Sequence, residues 1–187
     1  MMEQADSLSL SGATWETGYL EDVKLRRLVL ELYDREHVAL RRYLSFLGVE
    51  VDTGQEIIQE SFLKLHQHLL DGGDQSNLRA WLYRVAHNLA RNWQSSAHAA
   101  KTDFLSDAIV TGDFPSRAAS PEDQLLTAER TERFRAALRQ LSAAQRECLT
   151  LRAGGMKYRE IAEVLNLSVS TVGENITRGL EKLKELL

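Results

Sequence analysis

Apolar side chains recur along much of this chain with the period of an α-helix. One apolar stripe runs through residues 22–47 and ends at Gly48, which predicts a first long helix. A second helix is predicted from Thr53, because Glu56 follows three residues later in the pattern of a capping box. A third is predicted from about Ser76. No segment shows convincing two-residue alternation, so the sequence predicts an all-α protein.

The helical pattern stops between about Gln94 and Asp123, where Ser, Ala, Gly and Asp dominate and both prolines occur. Such a composition is typical of a linker. Helical periodicity resumes near Pro121, and Ser142 with Gln145 forms another capping-box pattern. We therefore expect two small helical domains joined by a flexible linker. The predicted segments are an N-terminal extension (1–22), a first domain (23–97), the linker (98–122) and a second domain (123–187).

The end of the chain has the pattern of a helix-turn-helix. Residues 158–165 and 169–186 are predicted helices separated by a three-residue turn, and the small Ala162 allows them to approach closely. Two helices joined so tightly cross steeply, which is how a second helix is placed in a DNA major groove. Ser168 is a natural N-cap for that helix. A helical hairpin that only packs is the alternative. The residues facing outward are Ser170, Thr171, Gly173, Glu174, Thr177 and Arg178.

A second candidate for nucleic-acid binding is the segment 77–93. The surrounding residues 76–101 hold four basic and no acidic side chains, although the whole chain has a net charge of −4. Cations and amides on one helical side suit single-stranded DNA, where phosphates need positive charge and bases stack. Trp81 and Trp93 tilt toward the apolar side, which favours core packing. The polar side carries Arg84, His87, Asn88 and Arg91.

Composition favours a cytoplasmic protein. The first twenty residues contain three acidic and no basic residues and no apolar run, unlike a secretory signal. No run of eighteen apolar residues predicts a transmembrane helix. The single cysteine, Cys148, fits a reducing compartment and a place in a helical core.

Enzyme chemistry has little support in the sequence. His66 and His68 are two residues apart, which on a helix directs them to different faces, a poor metal pair. Glu56 and Glu60 share a face but lack the Glu-x-x-His partners of a carboxylate metal site. No phosphate-binding loop, dinucleotide-binding turn or nucleophile elbow is present. We therefore expect no catalysis, no metal and no cofactor.

Two segments resemble one protein family. EIIQESFLKL (56–65) followed by LRAWLYRVAHNLARN (78–92) resembles regions 2.2 to 2.4 of extracytoplasmic-function RNA polymerase sigma factors, and residues 141–172 are similar to their region 4. The match covers about residues 23–97 and 123–187 in the family's order, without a region 3. The resemblance implies a sigma factor that directs promoter-specific transcription initiation. Its partners would be core RNA polymerase, through the clamp helices of the large subunit, and promoter DNA, with an anti-sigma factor as a further candidate.

The resemblance also implies residue roles. The helix that docks on the clamp helices would use Glu56, Ile57, Gln59, Glu60, Phe62 and Leu63. The surface that captures the unwound −10 element would comprise Arg84, Asn88, Arg91 and Asn92, with His87 added from the same polar side. The helix that reads the −35 element would use Ser168, Ser170, Thr171, Thr177 and Arg178, with Glu174 as an acceptor for a cytosine amino group.

The chain also departs from the family pattern. Gly173, Glu174 and Asn175 stand where the family usually has basic or polar contacts. Gln94 to Ser96 replace a common arginine run, and each lost cation removes a phosphate contact. These changes predict a weaker or more conditional promoter binder.

Two other functions account for part of the sequence. A stand-alone regulator with a helix-turn-helix of the LuxR kind explains residues 158–183 but leaves 56–93 without a role. A sigma-like adaptor that binds polymerase without opening promoters fits the altered recognition helix. Polymerase-independent duplex binding would indicate the first, and core binding without transcription the second.

Overall fold

The computed structural model describes the backbone of residues 7–96 and 121–187, and the side chains of residues 21–96, 129–130 and 132–187. Within these ranges the chain forms seven α-helices and no strand, which confirms the predicted all-α class. The helices are α1 (Ser7–Phe46), α2 (Val51–Leu70), α3 (Leu78–Ser95), α4 (Pro121–Arg139), α5 (Ala143–Ala153), α6 (Tyr158–Leu165) and α7 (Val169–Leu186).

Helices α1 to α3, which we call the N-terminal half, pack as a three-helix bundle. Helix α2 lies against both α1 and α3, and α1 also contacts α3. Leu40, Leu44, Ile58, Leu65 and Leu82 are almost completely buried where the three helices meet. Full burial of each such side chain contributes about 1.5–3 kcal/mol. The apolar stripes predicted from the sequence are therefore the stripes that form this core.

The helix boundaries differ from the predictions at several ends. Helix α1 begins at Ser7, so the described part of the N-terminal extension belongs to the same helix as residues 22–46. Helix α2 begins at Val51, after an N-cap at Glu50 whose side chain makes no capping hydrogen bond. The capping box predicted at Thr53 and Glu56 is wrong because Thr53 lies inside the helix.

Helices α4 to α7 form the C-terminal half, and here the predicted caps are confirmed. Ser142 and Gln145 form both hydrogen bonds of a capping box at the start of α5. Gly155 follows that helix with a φ of +86°, a conformation that favours glycine. Ser168 caps α7 by accepting a hydrogen bond from the backbone N–H of Thr171. Met156, Ile161, Val164 and Val172 are buried between these helices.

The two halves lie against each other, with α6 packed on α3 and α5 on α1. The buried residues Cys148, Leu151 and Ile161 of the C-terminal half belong to one hydrophobic cluster with the core of the N-terminal half. The linker predicted over 98–122 lies outside the described residues, except for its last two residues, which begin α4. No helix in the described part of the chain is long and apolar enough to cross a membrane.

Candidate DNA and polymerase interfaces

The outward side of α3 carries a row of polar and cationic side chains. The helix starts at an Asn77 N-cap and turns its other side into the core, where Ala86 and Ala90 have no exposed surface. Side chains at helical positions i, i+4, i+7 and i+8 therefore emerge together toward solvent. We call this set the α3 basic surface, and its members are Arg84, Asn88, Arg91 and Asn92, all of them exposed.

His87 does not share that surface. It is only 8% exposed, and its Nδ1 lies 2.8 Å from the hydroxyl of Tyr43 on α1. Burial lowers the pKa of the imidazole to about 4, with a smaller contribution from the nearby Arg91 cation. His87 is therefore neutral at pH 7, and its hydrogen bond to Tyr43 links α3 to α1. Its prediction as a DNA contact is corrected, because the imidazole is buried and hydrogen-bonded to Tyr43 of α1.

Trp81 has a packing contact of its own. Its ring stacks on the imidazole of His68 with 4.6 Å between ring centroids, and the tryptophan is partly buried. His68 also bonds through Nε2 to the backbone oxygen of Asp74 at 3.1 Å. This histidine therefore supports the turn between α2 and α3.

The outward side of α2 combines polar groups with one large apolar side chain. Leu63 is 66% exposed, although a leucine in a folded domain is usually covered. Exposed acidic and amide groups surround it at helical spacing, which is suited to a partner helix. We call this set the α2 outer face, and its members are Glu56, Gln59, Glu60 and Leu63.

Ile57 and Phe62 are not part of the α2 outer face. They are 7% and 6% exposed and belong to the core between the helices. The ring of Phe62 packs edge-on against Tyr33 of α1, with 5.0 Å between ring centroids. Their predicted direct contact with polymerase is corrected, because both side chains are buried and hold α2 in place.

Helices α6 and α7 form the predicted helix-turn-helix. The turn is made by Asn166, whose left-handed φ of 53° ends α6, followed by two residues before α7 begins. Four of the predicted DNA contacts on α7 are exposed, while Thr171 is half-buried. The exposed residues are Ser170, Glu174, Thr177 and Arg178.

Hydrogen bonds already occupy several of these groups. The hydroxyl of Ser168, which is also exposed, caps α7 and lies 2.8 Å and 2.7 Å from the hydroxyls of Ser170 and Thr171. Arg178 pairs with Glu174 across one helical turn at 3.2 Å. A phosphate or base that binds Arg178 must therefore compete with a carboxylate on the same helix.

A buried charged network lies beside α3 and was not predicted from the sequence. Glu36 is 4% exposed and accepts hydrogen bonds from Nε of Arg79 at 3.0 Å and from the hydroxyl of Tyr83 at 3.4 Å. Burial and the Glu36 carboxylate raise the pKa of Tyr83 to about 12, so the hydroxyl keeps its proton. The sequence contained a signal for this network, because Glu36 interrupts the apolar stripe of α1 between Leu32 and Leu40.

Two family models match the chain. Sigma-70 region 2 matches residues 32–99, which include α2 and α3, and sigma-70 region 4 matches residues 131–183, which include the helix-turn-helix. The segments therefore follow the order expected from the sequence resemblance.

Curated relatives are similar over most of their length. The chain is 31% identical over 150 residues to the extracytoplasmic-function RNA polymerase sigma factor EcfG of Rhodopseudomonas palustris, covering 80% of this chain and 79% of that protein. It is 27% identical over 158 residues to RNA polymerase sigma factor SigZ of Bacillus subtilis, covering 84% and 85%.

Solved structures agree with the fold. The structure of CnrH in complex with the cytosolic domain of CnrY superposes with a TM-score of 0.59 at 26% identity, covering 90% of this chain and 93% of that one. The sigma factor RpoE of Bartonella quintana, solved with the anti-sigma factor NepR, gives 0.53 at 23% identity, covering 83% and 96%, and supports the fold alone. The chain belongs to the extracytoplasmic-function group of the sigma-70 family of RNA polymerase sigma factors.

Proposed function

We propose that this sigma factor binds core RNA polymerase through the α2 outer face, captures the unwound −10 element on the α3 basic surface and reads the −35 element with α7. The observation that supports this assignment best is the separation of faces on α2 and α3. Both helices turn their apolar sides into one core and leave two chemically different surfaces outside. The α2 outer face offers an apolar side chain among carboxylates and amides, and the α3 basic surface offers cations and amides.

The α3 basic surface has the chemistry that single-stranded DNA requires. Arg84 and Arg91 supply charge for phosphates, and Asn88 and Asn92 supply amides for base edges. Opening a duplex without ATP requires binding energy for bases that leave the stack, at a cost of a few kcal/mol each. The polymerase would add its own contacts to DNA, which explains how a chain of net charge −4 takes part in promoter binding.

Run-off transcription tests the proposal. Core RNA polymerase is supplied with a library of genomic fragments, with and without this protein, and new discrete start sites are the expected result. The double variant Asn88→Ala, Arg91→Ala should abolish them. Arg27→Ala is the matched control, because it removes an exposed arginine of α1 that pairs with a surface glutamate.

The other outcomes separate the alternatives. Intact core binding without transcripts from any fragment would indicate the adaptor function. Failure to bind core polymerase would overturn the proposed roles and leave the helix-turn-helix as a stand-alone DNA reader. We also propose that the protein works in the cytoplasm, where RNA polymerase acts.

We further propose an anti-sigma factor as a protein partner, because the sigma factor RpoE of Bartonella quintana, which has a similar fold, was solved in complex with the anti-sigma factor NepR. An apolar cavity of about 550 Å³ lies between the two halves, with Phe46 and Tyr83 on one side and Leu138, Leu149 and Leu183 on the other. Phe134 at its edge is 38% exposed. A partner identified by mass spectrometry after affinity purification should be lost from the Phe134→Asp variant while core polymerase is retained.

A further inference from the structure

One side of α1 borders the cavity between the two halves. Ala39, Arg42, Tyr43 and Phe46 are neighbours at three- and four-residue spacing, so they lie on the same side of the helix, and all four line the cavity. The cavity volume is about 550 Å³. Binding sites for small molecules generally have volumes of about 300–1,000 Å³ and mostly apolar walls. The size of the cavity therefore fits a ligand of low molecular mass.

The cavity has a buried wall and an exposed edge. The buried wall includes Leu138, Leu151 and Met156, which have almost no exposed surface. Two large apolar side chains that also line the cavity, Phe134 and Leu180, are exposed, which places the opening beside them. A ligand that enters there removes its own hydrocarbon and these side chains from water, which is favourable.

Hydroxyl groups that line the cavity have partners within the protein. The hydroxyl of Tyr43 lies 2.8 Å from Nδ1 of His87. The hydroxyl of Thr150 donates to the carbonyl oxygen of Arg146 at 2.9 Å. These two lining residues therefore offer a ligand mainly their carbon atoms.

The two arginines that line the cavity differ in their partners. Arg79 donates through Nε to Glu36 at 3.0 Å and through Nη2 to the carbonyl oxygen of Gly154 at 2.8 Å. Arg42 is exposed, and its guanidinium makes no hydrogen bond or ion pair within residues 21–96, 129–130 and 132–187. Arg42 is therefore a cation at the cavity that remains available to a ligand.

We propose that this cavity is a binding site for a fatty-acid-like ligand, a flexible hydrocarbon chain that ends in one carboxylate. The chain lies against the buried wall, and its flexibility lets it follow side chains contributed by both halves. The carboxylate pairs with Arg42, because a planar guanidinium can donate two parallel hydrogen bonds to a carboxylate. This site goes beyond the proposed function, since the proposed protein partner contacts Phe134 at the edge and the ligand occupies the interior.

Isothermal titration calorimetry of the full-length protein with sodium decanoate, kept below its micelle concentration, tests the proposal. The expected result is saturable binding of one decanoate per chain. Affinity should rise about fourfold for each methylene added from hexanoate to decanoate, the gain for burying one such group. Decanol and decyltrimethylammonium should bind more weakly than decanoate. Absence of saturable binding, or equal affinity for all three head groups, would overturn the proposal.

The head-group contact has a matched control on the same helix. Arg42→Gln should weaken decanoate binding by about two- to fivefold, the effect of an exposed ion pair. Arg41→Gln makes the same change in charge at an adjacent exposed position that does not line the cavity, and should leave affinity unchanged. Added NaCl should weaken binding to the wild type more than binding to Arg42→Gln. Equal losses in the two variants would show that net charge explains the effect, and the proposal fails.

Larger side chains test whether the ligand occupies the interior. Ala39→Phe fills the cavity from α1 and should abolish decanoate binding. Ala153→Phe fills it from α5 at an exposed position, where substitutions usually change stability little, so this variant remains informative if Ala39→Phe does not fold. Ala136→Phe, at an exposed position of α4 outside the cavity, should bind normally. Unchanged affinity in folded Ala153→Phe would place the ligand elsewhere and overturn the proposal.

The chain itself supplies a different candidate occupant, the apolar sequence 104–110, which lies outside the described residues. Replacing the apolar residues of that sequence with serine should leave decanoate affinity unchanged. If the wild type does not bind decanoate and this variant does, the linker fills the cavity and the proposal is overturned. These measurements do not use transcription, so their failure leaves the proposed function untouched.

Discussion

At the scale of single residues, burial decides which side chains of a helical pattern remain available for binding. Tyr43 and His87 are both buried and bonded to each other, so neither reaches solvent. Burial raises the pKa of Tyr43 well above its ordinary value and lowers that of His87. Both groups are therefore uncharged at pH 7, and the pair fixes the rotation of α3 on α1. That rotation sets where the neighbouring Asn88 and Arg91 emerge.

Removing the partner hydroxyl should destabilise the protein. In Tyr43→Phe, Nδ1 of His87 loses its hydrogen bond inside the core, and a buried polar group without a partner costs about 1–3 kcal/mol. Urea denaturation should show the loss as a lower midpoint with an unchanged slope. An unchanged midpoint would mean that water replaces the hydroxyl.

His87 also predicts how stability depends on pH. Its pKa is about 4 in the folded protein and about 6.5 when unfolded. Above pH 6.5 the ring is neutral in both states and its contribution is fully present. Between pH 6.5 and 4 the unfolded state takes up a proton that the folded state does not, so the free energy of unfolding should fall. His87→Gln should show a smaller fall over the same range in denaturation curves, and an identical fall would contradict the assignment.

Only some residues of the candidate site could be predicted from the sequence. Arg84, Asn88, Arg91 and Asn92 emerge together because a 3.6-residue period is enough to place them. His87 lies at the edge of the exposed side of α3, where the exact rotation of the helix decides whether a side chain faces solvent or the core. The rotation depends on a bond to Tyr43, forty-four positions away, and no local pattern contains it.

At the scale of elements, α2 places a buried core side chain directly next to an exposed one. Phe62 faces the core and Leu63 faces solvent. The helix therefore buries one side chain in the core and leaves the next one exposed for the proposed contact with polymerase.

This division predicts opposite phenotypes for neighbouring substitutions. Leu63→Ala should change stability by less than about 0.5 kcal/mol, as is usual at exposed positions, yet weaken binding to core polymerase. Phe62→Ala should cost about 3–5 kcal/mol of stability through cavity formation. Thermal unfolding and a pull-down with core polymerase measure the two effects. Normal core binding by Leu63→Ala would remove Leu63 from the polymerase interface.

The two glycines of α7 form another matched pair. A Cβ on Gly173 would meet only Tyr158 at 3.7 Å, an ordinary contact, whereas a Cβ on Gly179 would approach Cδ1 of Leu149 on α5 at 2.8 Å. Gly173→Ala should therefore stabilise the helix by about 1 kcal/mol, which corresponds to about 2–4 °C in Tm. Gly179→Ala should not show this gain, because Leu149 must move. Scanning calorimetry compares them, and equal gains would show that α5 adjusts freely.

The elements themselves were largely predictable. Ser142 and Ser168 mark true helix starts because their hydroxyls bond to backbone groups within three residues. Thr53 failed as a start because α2 begins two residues earlier, at Val51, with Glu50 in the N-cap position although its side chain makes no capping hydrogen bond. The early start of α1 at Ser7 had no signal, since its first residues lack the apolar stripe of residues 22–47.

At the scale of the whole molecule, Arg79 connects the two halves. It satisfies the buried Glu36 carboxylate and the end of α5 at once. Loss of one partner from a fully buried ion pair costs 3–5 kcal/mol, and since Arg79 is 25% exposed we expect a smaller loss of about 2 kcal/mol. The substitution Arg79→Leu should also weaken the coupling between the two halves.

The positions of tryptophan make this coupling measurable. All three tryptophans, Trp15, Trp81 and Trp93, belong to α1 or α3, so their fluorescence reports mainly on the N-terminal half. Far-ultraviolet circular dichroism reports on every helix. The two denaturation curves should coincide in the wild type, as for one cooperative unit, and separate in Arg79→Leu. Separate curves in the wild type would show that the halves unfold independently.

The reactivity of Cys148 can be used to measure how often the two halves separate. The thiol is fully buried on α5, in the cluster shared with the N-terminal half, and burial raises its pKa to about 11. In the docked form it is both inaccessible and protonated, and the thiolate is the species that reacts with alkylating agents. Each separation of the halves would open a path to this sulfur. The rate of its alkylation therefore measures how often the two halves separate in the free protein. The measurement needs no substitution and no attached label.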